Sequence, residues 1–174
     1  ALQDIVEGKL NTSGTAENKI LKLVSTGENL LINAVDGQST IATAKDVFKS
    51  GIDSDFKSWG TNNPQDRTEE APVSVYEMQS DATFAQIFGS LPSSLDDLCL
   101  TQSQIINFCM KYPKHLRQDG YATFFLFKSN EQYFVAFVFV SGVGLFVLVY
   151  GLESGHVWRG SDARRVVVPQ LAVS

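Results

Sequence analysis

Cysteine and histidine are both scarce in this chain of 174 residues, which contains two of each. Cys99 and Cys109 lack the C-x-x-C spacing of a zinc or redox motif, and two cysteines are too few for a disulfide framework. We therefore predict reduced thiols. Motifs for phosphate loops, dinucleotide binding, nucleophile elbows and zincin metal sites are absent from the sequence. From these absences we expect no bound metal and no cofactor.

Positive charge is also in the minority, because 14 Lys and Arg face 19 Asp and Glu and leave a net charge of −5. This balance disfavours a nucleic-acid partner, since that affinity comes largely from phosphate neutralisation. Six of the seven basic residues after residue 80 nevertheless fall into two short runs, which predict a local anion-binding face if they meet in space. Apart from Lys111, these residues are the predicted anion ligands: Lys114, Arg117, Arg159, Arg164 and Arg165. The alternative is that they complement a helix end and solubilise a strand end.

Charged residues are missing from the whole stretch 132–152, which is long and apolar enough for a membrane helix. Its Val and Phe content favours β-strands, and the SGVG cluster in its middle is typical of a turn. We therefore predict a buried hairpin and no membrane partner. No signal-peptide pattern opens the chain, so we expect a cytoplasmic protein.

The remaining patterns predict one α+β domain over residues 1–174. Glycine turns at 26–29 and 36–37 predict a small N-terminal β-meander within 1–59, and the polar stretch 60–72 predicts a loop between two subdomains. In 73–174 we predict two helices packed on a C-terminal antiparallel meander that starts at Tyr121 and has four or five strands.

Two helix starts can be read from capping residues. The first helix is predicted over 80–91 with Ser80 or Asp81 as N-cap. The second begins with the T-x-x-Q capping box of Thr101 and Gln104 and ends before Pro113. Because the strands at 133–140 and 145–150 are apolar on both faces, both faces must be covered. We expect the two helices on one face, and the N-terminal meander, a second subunit or an apolar cavity on the other.

The catalytic hypothesis from the sequence has Cys109 as nucleophile and His115 or His156 as base. The orienting carboxylate is one of Asp96, Asp97 or Asp119. Cys109 shares a helical stripe with apolar residues, which is typical of a buried structural thiol. We therefore predict no catalytic residue, and keep Cys109, His115, His156 and Asp119 as candidates.

Three stretches, LCLTQSQIINFC, DGYATFFLFK and RRVVVPQL, resemble a group of uncharacterised bacterial proteins. The resemblance implies a bacterial origin on a mobile element, and it carries over no activity and no site residue.

The function predicted from these observations is non-enzymatic binding of another protein or of a second copy in a homodimer. The alternative is a small-molecule pocket protein or enzyme with an apolar cavity between sheet and helices, with polar contacts from the catalytic candidates and Tyr121.

Overall fold

The computed structural model describes residues 18–171, so the first part of the predicted N-terminal meander lies outside the described residues. Eight strands form one open, mostly antiparallel sheet in the order β1-β4-β8-β5-β6-β7-β3, and β2 also pairs with β4. The α+β class is confirmed. The strands are β1 (Leu21–Leu23), β2 (Leu30–Ile32), β3 (Gly51–Ile52), β4 (Ala71–Met78), β5 (Ala122–Ser129), β6 (Gln132–Ser141), β7 (Gly144–Gly151) and β8 (Arg165–Pro169).

Short helices connect these strands: α1 (Asp55–Ser58), α2 (Phe84–Gly89), α3 (Leu95–Leu98) and α4 (Gln102–Lys111), with 3-10 turns at Ile41–Thr43, Pro113–His115 and Gly160–Asp162. The predicted capping box of α4 is confirmed. Gln104 N donates to Thr101 Oγ1 at 3.1 Å, and Thr101 N donates to Gln104 Oε1 at 2.9 Å.

Helix α2 starts later than predicted. Its N-cap is Thr83, which forms a capping box with Gln86, and neither Ser80 nor Asp81 caps it. The reason is that Ala82 is held in a β-bridge with Trp158, which prevents the preceding residues from joining the helix.

The predicted hairpin at 132–152 is confirmed as β6 and β7, and β5, β6 and β7 form an antiparallel meander. Within the described residues, no helix is long and apolar enough to cross a membrane.

A separate N-terminal meander is not observed. Strands β1 and β2 do not pair with each other; both lie antiparallel along β4, as one edge strand interrupted at 24–29. Ser25 fills part of this interruption, since its Oγ accepts a hydrogen bond from Val75 N at 3.0 Å. Strands β1 and β2 thus come before the predicted loop 60–72, and they share one sheet with β4, which begins at Ala71 within that range.

Strand β8 does not extend the meander. It lies between β4 and β5, antiparallel to β4 and parallel to β5. A parallel neighbour requires the chain to cross the sheet, because a short turn can join only antiparallel strands. The segment 152–164 makes this crossing. Residues 156–160 are therefore part of a connection and not a strand of the sheet, and Trp158 among them forms an isolated β-bridge with Ala82.

The two main helices pack on opposite faces, and not on one face as predicted. Helix α4 contributes Ile105 and Phe108 to a core that also contains Phe48 and Phe56. Helix α2 contributes Phe84 and its neighbours to a second core, on the face that the 152–164 segment crosses. An apolar stripe shows that a helix is buried, but it does not show which sheet face the helix meets.

The capping box of α4 gives a stability prediction. Thr101→Ala removes the acceptor for Gln104 N, so we expect the free energy of unfolding to fall by about 1 kcal/mol. Urea denaturation measures this change. The exposed turn residue Thr26 offers a control, and Thr26→Ala should leave stability nearly unchanged; equal losses in the two variants would contradict the role of the cap.

Candidate functional site

The chain between β7 and β8 places an aromatic residue on the face of the sheet that α2 covers. The Trp158 ring is buried among other rings, with centroid distances of 5.3 Å to Phe84, 5.5 Å to Phe124, 5.3 Å to Phe137 and 5.6 Å to Tyr150. Replacing a buried ring of this size with Ala lowers the free energy of unfolding by about 3–5 kcal/mol. Trp158 therefore anchors the crossing segment.

Backbone contacts fix the same segment on the chain before α2. Trp158 N donates to Ala82 O at 2.9 Å, and Ala82 N donates to Trp158 O at 3.0 Å. Gly160 N donates to Asp81 Oδ1 at 2.9 Å. A Cβ at Gly160 would lie 2.4 Å from Ser80 N, so only glycine allows this approach.

Asp162 joins the two basic runs. Its carboxylate accepts hydrogen bonds from Arg164 Nη1 at 2.9 Å and Arg159 Nη2 at 3.4 Å. Its backbone carbonyl accepts from Arg117 Nε at 3.2 Å and Nη2 at 3.1 Å. Three of the predicted anion ligands are thus brought together.

Tyr121 lies between two of these arginines. The guanidinium carbon of Arg117 is 5.2 Å from the centre of the Tyr121 ring, and that of Arg164 is 5.3 Å from it. Arg164 also lies 5.0 Å from the Trp158 ring. Contacts of this kind attract a cation to the face of a ring, and they hold the Arg164 guanidinium in one orientation.

The other two predicted anion ligands do not join this cluster. Arg165 donates to Glu77 Oε2 at 3.2 Å and to His115 O at 2.9 Å. Arg164 packs on Trp158, on the face that α2 covers, whereas Arg165 bonds to His115 beyond the end of α4, on the opposite face. Lys114 is exposed, and no salt bridge joins it to another described residue.

A pocket of about 270 Å³ opens beside the cluster. We call it the arginine pocket, and it is lined by His156, Val157, Trp158, Arg159, Asp162 and Arg164. Two of its residues carry buried N–H groups without a hydrogen-bond partner, Trp158 Nε1 and Arg164 Nε. A buried donor without an acceptor costs about 1–3 kcal/mol. The arginine pocket thus combines unpaired donors with positive charge, which suits an anion.

The charge of Asp162 is stabilised in the folded protein. Burial alone would raise the pKa of this carboxyl, but the hydrogen bonds and charges of Arg164 and Arg159 outweigh it and hold the pKa below its ordinary value. The two arginine side chains differ greatly in exposure, since Arg164 is 14% exposed and Arg159 is 70% exposed. Arg164 is therefore the fixed partner of Asp162, and Arg159 the accessible one.

The catalytic candidates do not form a site. Cys109 is buried in the core, and burial raises the pKa of its thiol far above the ordinary value, which keeps the thiol protonated. His115 Nε2 lies 2.7 Å from Glu28 Oε1, and the His156 ring is centred 4.1 Å from the Trp158 ring and tilted against it. Asp119 is exposed and lies 3.4 Å from Arg117. Among the described residues, no hydrogen bond links Cys109 to either histidine.

The second cysteine lies near a different polar cluster. Asp96 Oδ1 accepts hydrogen bonds from Tyr133 OH at 2.6 Å and Lys128 Nζ at 3.1 Å, and these contacts lower the pKa of Asp96. Burial and the nearby Asp96 charge raise the pKa of Cys99 to about 12. A thiol with such a pKa is a poor nucleophile at neutral pH.

Aromatic rings between the sheet and the two main helices contact one another. Phe84 and Phe124 are 4.9 Å apart, and Phe108 and Phe125 are 5.7 Å apart. All four side chains are fully buried. In residues 18–171, no group of three His, Cys, Asp or Glu side chains is placed to hold a metal ion.

Asp162 and Trp158 were not among the site residues predicted from the sequence. The only sequence feature that pointed to Asp162 is its position between Arg159 and Arg164, but alternating charges occur in many exposed segments that bind nothing.

Comparison with protein-family models, curated proteins and solved structures finds no match to this chain.

The close approach at Gly160 gives a second prediction. Gly160→Ala forces the crossing segment away from Ser80, so we expect a loss of about 1–3 kcal/mol in the free energy of unfolding. Gly155→Ala is the matched control, because nothing lies within 4 Å of a Cβ built there. Thermal or urea unfolding compares the two, and a neutral Gly160→Ala would contradict the tight contact.

The charge of Asp162 gives a pH-dependent prediction. Because its folded-state pKa lies below the ordinary value of 3.8, the charged form adds stability above that pH, and the contribution is lost as the pH falls through the folded-state pKa. Asp162→Asn should therefore be less stable than wild type at neutral pH, and the difference should shrink below about pH 4. Urea unfolding across this range measures it. The exposed Asp66, changed to Asn, should show no comparable trend; a pH-independent Asp162→Asn effect would count against the ion pairs.

Proposed function

We propose that this chain is a non-enzymatic binding protein whose arginine pocket holds a carboxylate from an acidic segment of another protein. The observation that carries the proposal is the pair of buried, unpartnered donors, Trp158 Nε1 and Arg164 Nε, in a pocket that also contains the exposed Arg159. Buried donors normally have acceptors, so an absent acceptor points to a ligand.

Arg159 is the residue free to meet that ligand. Its hydrogen bond to Asp162 is 3.4 Å long, whereas charge-assisted bonds of this type are about 2.7–2.9 Å. Trp158 Nε1 and Arg164 Nε are shielded from solvent, so a ligand reaches them only after side chains that line the arginine pocket have moved. An incoming carboxylate would pair with Arg159 and accept hydrogen bonds from these two donors.

The size of the pocket favours a single side chain over a whole small molecule. Its volume of about 270 Å³ lies below the range of roughly 300–1,000 Å³ typical of small-molecule sites. Val157, at 55% exposed, and His156 line the same pocket and offer an apolar surface to a neighbouring residue of the ligand. An acidic peptide with an apolar residue beside its carboxylate meets both requirements.

A protein partner also fits the overall charge better than nucleic acid does. The basic cluster is small and includes Asp162, and the chain is negative overall, which gives weak attraction to a long polyanion. The bacterial origin and the cytoplasmic location stay predictions of the sequence.

Nuclear magnetic resonance tests the proposal directly. Blocked hexaglutamate and a blocked peptide of alternating Glu and Leu are titrated into ¹⁵N-labelled protein, with hexalysine as the charge control. We expect the Trp158 Nε1–H and Arg164 Nε–H signals to shift with both acidic peptides, more tightly with the Glu-Leu peptide, and not with hexalysine. The exposed Trp59 serves as an internal control, because its indole signal should stay in place.

Paired variants separate the pocket from general charge. Arg159→Gln should weaken peptide binding at least about tenfold, the equivalent of one lost charge-assisted contact. Arg67→Gln makes the same charge change at an exposed residue that pairs with Glu69. Equal effects of the two variants, or no shift at Trp158, would overturn the proposal.

Self-association is the competing protein partner, and light scattering distinguishes it. We expect a monomer mass for the wild type at low salt. A dimer that dissociates on Arg159→Gln would show that a second copy occupies the arginine pocket, and this would overturn the assignment to a different protein.

A further inference from the structure

A second pocket lies on the opposite face of the sheet from the arginine pocket, and it goes beyond the proposed function. Its volume is about 430 Å³, and its lining comes from the segment 42–57. Three exposed lysines surround it, Lys45, Lys49 and Lys57, above a floor of apolar residues. We call it the lysine pocket. We propose that it binds a small organic phosphate whose apolar group lies on this floor.

The floor belongs to the core of the protein. Phe48 is buried, and Ile52 packs against the same cluster that contains Ala42. Both Phe48 and Ile52 line the lysine pocket together with Ala42. A ring or short alkyl group placed there would lose contact with water, which is favourable at about 25 cal/mol per Å² of buried apolar surface.

The three lysines of this pocket are available to a ligand. No carboxylate of the described residues forms a salt bridge with Lys45, Lys49 or Lys57. The carboxylate in the lining, Asp53, is used by the backbone: Oδ1 accepts from Asp55 N at 2.9 Å and Oδ2 from Val149 N at 3.1 Å. With three lysines and one aspartate in its lining, the lysine pocket carries an excess of positive charge, although the chain has a net charge of −5.

The hydroxyl of Ser54 adds a neutral donor to the lining. Ser54 occupies the N-cap position of α1, but its side chain makes no capping hydrogen bond. Lysine binds phosphate as a compact point charge, and a hydroxyl donates to phosphate oxygens, so this lining suits a phosphate group.

The backbone that carries the pocket is held in place by β7. Ser50 N donates to Leu145 O at 3.0 Å, and Asp53 N donates to Val147 O at 2.9 Å. Gly51 has a φ of 142° and lies under the Phe146 ring, where a Cβ would be 2.7 Å from Phe146 Cε2. The pocket is therefore preformed, which lowers the entropic cost of binding.

Calorimetry with three probes tests the proposal: phenyl phosphate, inorganic phosphate and phenol. The expected result is saturable binding of phenyl phosphate, at least about tenfold tighter than inorganic phosphate, and no measurable binding of phenol. Amide signals of Gly51 and Ile52 should shift with phenyl phosphate. Equal affinity for phenyl phosphate and inorganic phosphate would show a simple surface charge effect and overturn the proposal.

Matched triple variants locate the site. Lys45→Gln, Lys49→Gln and Lys57→Gln together should weaken phenyl phosphate binding more than about tenfold, whereas Lys19→Gln, Lys22→Gln and Lys114→Gln should not. Both sets remove three exposed lysines, and circular dichroism checks that both variants fold. Equal loss in the two sets, or loss only on Arg159→Gln, would overturn the lysine pocket. A failure here leaves the acidic-peptide test of the arginine pocket unaffected, because the two sites use different residues and probes.

Discussion

The position of β8 between β4 and β5 is the constraint on which the rest of the structure depends. It joins β1, β2 and β4 to the meander of β5, β6 and β7. Because β8 is parallel to β5, the chain that leaves β7 must cross the sheet before it can pair. The segment 152–164 performs this crossing and is secured by the burial of Trp158 and the contact of Gly160 with Ser80. The arginine pocket is a consequence of that path.

Stability alone does not explain why the arginine pocket carries charged residues. Burying an ion pair such as Arg164 and Asp162 removes both groups from water, and apolar residues of similar size often serve a fold equally well. The cluster also leaves two buried donors unpaired. A site that is costly to the free protein and suited to an anion is explained more simply by binding than by folding. This comparison favours a ligand over a purely structural role.

Features encoded by neighbouring residues could be predicted, and features set by long-range pairing could not. Thr101 and Gln104 identify the start of α4 because a capping box needs only four residues. The RRVVVPQL segment has the pattern of a buried strand, but that pattern fits any central position in a sheet and gave no sign of insertion beside β5. The basic runs were visible, yet only the crossing segment determines that Arg164 meets Arg117 while Arg165 lies on the other face. The lysine pocket was not predicted, because only the folded path of segment 42–57 brings Lys45 and Lys57 to the same pocket.

A crystal structure of the protein with bound hexaglutamate tests the central claim most directly, because it shows where a carboxylate is held. The predicted result is a carboxylate in the arginine pocket, with Arg159 turned from Asp162 toward the peptide and with Arg164 Nε or Trp158 Nε1 donating to it. An empty arginine pocket with Arg159 still paired to Asp162, and peptide bound elsewhere on the surface, would contradict the account.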